Sequence, residues 1–133
     1  MMPYVLDACA LIAFLDDEPG ADVVDTCLET GKCYLHAINA CEVYYDIWKK
    51  SGESVATTIV ERLALLGIFL QDDMDITFWQ QVGRLKAEIK RISLADCFAV
   101  VLAQKTGSTL LTSDHHEFDP IVPLNLCSIQ FIR

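Results

Sequence analysis

The chain has 133 residues, 53% of them hydrophobic, and nineteen acidic against ten basic side chains give a formal charge of −9. That length fits one domain over residues 1–133, and the apolar share can build a core without disulfides or a structural metal. So acidic a balance argues against an architectural nucleic-acid binder, which carries a basic surface, although a bound divalent cation reverses the local sign.

Short apolar segments alternate with longer stretches of helical periodicity, the pattern of an α/β domain with a mainly parallel sheet. Residues 4–6 form a first buried strand that ends at Asp7. Residues 8–15 are predicted as a short helix, and residues 21–29 as a second that Gly31 terminates. Residues 33–36 are a strand candidate. The next helix is expected to begin near Asn39 and stop at Gly52, with Lys49 and Lys50 in its last turn. Apolar spacing predicts a helix over 55–66, stopped by Gly67, and then a strand over 68–70. Asp75 or Thr77 opens a helix carrying Phe78, Trp79, Val82, Leu85 and Ile89. Ser93 caps a helix over 94–105 that Gly107 ends, residues 109–112 form a strand, and residues 128–132 a last one.

Four acids occupy informative places in this order. Asp7 and Asp114 each follow a strand, and open parallel sheets bind ligands at the carboxyl ends of their strands. Asp7 also suits a helix N-cap, and Asp114 leads into a polar connection with His115, His116, Glu117 and Asp119. Glu42 and Asp96 fall at capping-box spacing from Asn39 and Ser93. Both stand inside apolar runs, where a carboxylate is costly unless paired, hydrogen-bonded or bound to a cation.

Together, Tyr4-Val5-Leu6-Asp7-Ala8-Cys9-Ala10-Leu11, Ala40-Cys41-Glu42-Val43, Ser93-Leu94-Ala95-Asp96-Cys97 and Leu110-Leu111-Thr112-Ser113-Asp114 resemble the motifs of PIN-domain ribonucleases. Length and motif order are most similar to the VapC-type toxins of toxin–antitoxin pairs. The resemblance implies a PIN-like three-layer α/β/α sandwich with a central, mainly parallel sheet and the acids gathered at one end. It also implies Mg²⁺ or Mn²⁺ held by Asp7, Glu42, Asp96 and Asp114, an RNA substrate, a cognate antitoxin and a homodimer. Asp119 stands as an additional outer acid. One departure is Cys9, where the family usually has Ser or Thr; a thiol donates hydrogen bonds poorly. Hard cations favour such oxygen ligands, which would otherwise repel one another.

The remaining features read more plainly. The cysteines show no metal-ligand spacing and fit reduced, structural thiols. No apolar stretch is long enough to span a bilayer and no signal segment precedes Asp7, so a cytoplasmic protein without membrane contact is expected. Arg84, Lys86, Lys90 and Arg91 could meet RNA phosphates, but pairing of Arg84 and Arg91 with Glu88 on a solvated helix face is the simpler expectation. His115 and His116 read as surface residues. Trp48, Trp79, Phe78, Tyr44 and Tyr45 read as core or dimer packing. Two rivals remain: a PIN-fold module that binds RNA or protein without turnover, and a phosphoryl-transfer enzyme with Asp7 as nucleophile. The second lacks an Asp two residues on, where Cys9 stands.

Overall fold

In the computed structural model, which describes residues 2–133, the chain alternates strands and helices: β1 (Met2–Leu6), α1 (Ala8–Leu15), α2 (Ala21–Thr30), β2 (Gly31–His36), α3 (Ala37–Ser51), α4 (Glu53–Glu61), β3 (Ile68–Gln71), α5 (Ile76–Glu88), α6 (Leu94–Thr106), β4 (Thr109–Thr112), α7 (His115–Phe118) and β5 (Ser128–Phe131). Short 3-10 turns occupy Leu63–Leu66 and Asp119–Leu124. The sheet has the order β3-β2-β1-β4-β5, and every pairing in it is parallel.

Alternation along the strands decides what each face buries. Leu6, Leu35 and Leu111 point to one side, where they pack with Leu11 of α1, Val24 of α2, Val43 of α3 and Ala56 of α4. Val5 and Leu110 point to the other, against Val82 of α5, Val101 of α6 and Phe118 of α7. Two apolar layers thus sandwich the sheet, as the resemblance implies.

Several boundaries differ from the sequence reading. The third helix begins at Ala37, two residues before Asn39, because the ring of His36 caps it by accepting from the Ile38 N–H at 3.1 Å. The helix expected over 55–66 breaks after Glu61 into a 3-10 turn. The polar connection after Asp114 is a helical turn, α7, followed by a 3-10 turn.

Gly31 ends α2 for a reason other than a left-handed turn. Its φ is −134°, ordinary extended backbone, and its N–H reaches the Cys27 carbonyl. A Cβ there would collide with the Met2 carbonyl oxygen and lie 2.5 Å from the Tyr4 ring. Gly31→Ala is therefore expected to cost about 2 kcal/mol through overpacking of β1 on β2, read as a lower urea midpoint. An unchanged midpoint would show that the two strands part without cost.

Candidate metal centre

β1 and β4 are neighbours where the strand order reverses, the point at which open parallel sheets form a crevice beyond their strand ends. Asp7 follows β1 directly, and Asp114 stands two residues beyond β4. A cleft of about 490 Å³ opens here, lined by Glu42, Asp96, Asp114 and Glu117 with Cys9 and Ser93 beside them. Asp96, Asp114 and Glu117 each offer a carboxylate oxygen, and the three atoms lie within 4.8 Å of one another. Charges this close repel unless a proton or a cation intervenes.

Asp7 serves its helix from behind the site. Its Oδ1 accepts from the Ala10 N–H at 2.8 Å, capping α1, and from the Cys9 thiol at 3.1 Å. Its Oδ2 is buried and makes no hydrogen bond. The residue is only 1% exposed and lies behind the cleft wall that Ala8 and Cys9 form. Burial pushes the Asp7 carboxyl up to about 6; the charge of Asp114 adds to the rise, while Thr112, the Ala10 N–H and Cys9 oppose it. Cys9 therefore supports the acid where the resemblance leads one to expect a hydroxyl. Burial, reinforced by the charge of Asp7, pushes its thiol up to about 11, so it remains a protonated donor at neutral pH.

Ser93 and Glu117 explain how Asp96 comes to face the cleft. The Ser93 hydroxyl accepts from the Asp96 N–H at 3.1 Å, one half of a capping box. In the other half the acid would turn back to the Ser93 N–H. Here that N–H donates to Glu117 Oε1, also at 3.1 Å. The Asp96 carboxylate is not spent on its own helix. Glu117 in turn hangs from the Asp114 cap, since Asp114 Oδ1 accepts from the Glu117 N–H at 3.0 Å, and Asp114 N–H donates to Thr112 Oγ1. The second Glu117 oxygen, Oε2, is buried without a partner.

Glu42 reaches the cleft from inside α3 rather than from a cap. Asn39 is fully buried and donates from Nδ2 to the Ala95 carbonyl at 3.2 Å and, more weakly, to Glu42 Oε1 at 3.5 Å. It thereby ties α3 to α6 across the site. Burial raises the Glu42 pKa, Asn39 offsets part of this, and the charge of Glu117 adds to it.

Of the four acids picked from the sequence, Asp96 and Asp114 come together with Glu117, Glu42 shares their cleft, and Asp7 lies behind it. In the sequence Glu117 reads only as part of a polar connection. Asp119 does not line the cleft; it pairs with His115, which also bonds the Arg133 carbonyl and stacks on Phe131. Neither Arg84 nor Arg91 pairs with Glu88 among the described residues: Arg91 lies beyond α5, which stops at Glu88, and Arg84, one turn before Glu88 on that helix, makes no ion pair. Lys86 instead binds the carbonyls of Lys90 and Ile92. The aromatics divide: Phe78 is core, whereas Tyr45, Trp48 and Trp79 are exposed.

A parallel sheet of this order, with acids converging beyond its two central strands, is the architecture of the PIN domain. The PIN domain family model matches residues 4–121, and the chain belongs to that family. Among solved structures, it is similar in fold to DNA-bound VapBC from Salmonella typhimurium (17% identity, all of both chains, TM-score 0.75). It also resembles a toxin–antitoxin complex from Klebsiella pneumoniae (19%, 98% of both chains, TM-score 0.71). A third likeness is to the sarcin–ricin loop cleaving toxin VapC20 of Mycobacterium tuberculosis (11%, 88% of this chain and 94% of that one, TM-score 0.67). No curated protein sequence matches the chain.

Proposed function

We propose that this chain is a metal-dependent ribonuclease hydrolysing RNA phosphodiester bonds, and that it is the toxin of a type II toxin–antitoxin pair. The observation that carries the reading is the convergence of Asp96, Asp114 and Glu117 within 4.8 Å at the open end of the sheet. The donor set consists of carboxylate oxygens, which suit hard divalent cations such as Mg²⁺ or Mn²⁺. Two further oxygens nearby, Asp7 Oδ2 and Glu117 Oε2, are buried without partners, an expense that a cation would relieve.

When bound, such a cation activates water, orients the scissile phosphate and stabilises charge developing on it. Asp96 and Asp114 are assigned as ligands, with Glu117 beside them. Asp7 contributes its charge from behind the wall and keeps the start of α1 in place through Ala10. Glu42, steadied by Asn39 and raised in pKa by burial, is suited to orient a water and to accept its proton. All 133 residues act as one unit on this reading.

The toxin assignment is supported by family membership and by likeness to a toxin and to a toxin–antitoxin complex. It carries with it an antitoxin partner, a homodimer and a cytoplasmic setting. No helix among the described residues is long and apolar enough to cross a membrane. Incubating the purified chain with single-stranded RNA should give cleavage with Mg²⁺ or Mn²⁺ and none with a chelator. Intact RNA in the presence of either cation would overturn the ribonuclease reading; normal growth on expression of the chain alone would overturn the toxin reading.

A further inference from the structure

The outward ridge of α3 carries a surface that the acidic site does not use. Trp48 is 49% exposed and Tyr45 62%, and with Cys41 and Tyr44 they line an apolar groove of about 420 Å³. Tyr44 forms a fixed wall, its hydroxyl hydrogen-bonded to Thr57. Tyr45 lines both this groove and the acidic cleft, so the two adjoin at that side chain. Lys49 holds its ammonium 5.1 Å from the Tyr45 ring centroid and makes no ion pair among the described residues. From Glu42 to Trp48 the helix rises about 9 Å, a distance that takes more than the single nucleotide next to a cleavage point to cover.

We propose that this groove is a stacking platform for bases of single-stranded RNA whose scissile phosphate lies at the acidic cleft. Trp48 and Tyr45 take base faces and Lys49 meets a backbone phosphate. The inference rests on the ribonuclease reading and adds to it which face of the protein the substrate follows. Exposed aromatics beside an unpaired cation are how single strands are held without sequence readout, since every base has a π-face. In a chain of charge −9 a free ammonium on the groove beside the cleft is a favourable entry for a polyanion. A purely apolar partner would use neither that ammonium nor the acidic cleft next to the groove.

The chain has two tryptophans, so Trp79→Phe leaves Trp48 as the only reporter. In a Trp79→Phe/Asp96→Asn protein, an oligouridylate of about ten nucleotides is expected to quench Trp48 fluorescence, less so as salt rises. In the otherwise native enzyme, Trp48→Ala should raise KM for that oligomer about tenfold with kcat unchanged, and Trp48→Phe should restore it. A uridine dinucleotide, too short to reach the groove, should be cleaved equally by all three. Absent quenching with unaltered KM, in an enzyme that cleaves RNA, would overturn the platform. Fluorescence that changes with protein concentration alone would overturn it too, assigning the groove to a second copy. Quenching in a chain whose parent cleaves nothing would keep the platform as an RNA-binding surface and defeat the nuclease reading instead.

Discussion

Asp96→Asn is expected to lower metal-dependent RNA cleavage on the order of a thousandfold while leaving the fold intact. The substitution keeps the backbone N–H that the Ser93 hydroxyl caps, so the start of α6 is unaffected. It removes one of three charges gathered within 4.8 Å, which relieves repulsion in the cation-free protein. The variant should therefore melt no lower than the parent in a chelator. Addition of Mn²⁺ separates them: a ligand that binds only the native state raises its melting temperature, and that rise should be present in the parent and largely lost in the variant. The two readouts are independent, one chemical and one thermodynamic. Cleavage at the parental rate, or an undiminished Mn²⁺ shift, would remove Asp96 from the site.

The second large effect concerns Asp7 and has a definite direction with pH. Its carboxyl titrates near 6 in the fold against about 3.8 when unfolded. Between those values the native state binds more protons, so stability falls as pH rises through 6. The difference amounts to about 3 kcal/mol, present in full below pH 4 and lost above 6. Asp7→Asn removes the titration and keeps an oxygen to cap Ala10. In a chelator the variant should match the parent near pH 4 and melt several degrees above it at pH 7.5. Cys9 does not disturb this window, because its thiol stays protonated throughout. Divalent cation should close the gap by compensating the buried charge of the parent. A melting difference that stays constant from pH 4 to 8 would show that Asp7 carries no such penalty.

Much of this arrangement could be read from residue order. The strand ends fixed Asp7 and Asp114, and Ser93 marked the start of the helix carrying Asp96, because caps and strand termini are local features. Glu42 was misplaced within its helix for an equally local reason. Asn39 is a favoured cap and His36 is not, yet the buried His36 ring, stacked on Phe78, does the capping. Tertiary packing overrode propensity there. Glu117 escaped notice because a four-residue helix shows no periodicity. The signal was nonetheless present, since Asp114-His115-His116-Glu117 has capping-box spacing. The diversion of the Ser93 N–H to Glu117 joins residues 24 apart and lies beyond any local rule. Arg91 does not meet Glu88 as expected because the helix stops at that residue.

Adjacency of β1 and β4 has a consequence for how such a chain can change over time. Neighbouring strands are held about 4.8 Å apart by their backbone ladder, so the spacing of the strand ends from which Asp7 and Asp114 emerge is set by peptide groups common to every sequence. Surface helices and connecting turns can drift without altering it. A sheet end gauged by the main chain tolerates wholesale replacement of the side chains around it, which accords with a shared fold at 11–19% identity.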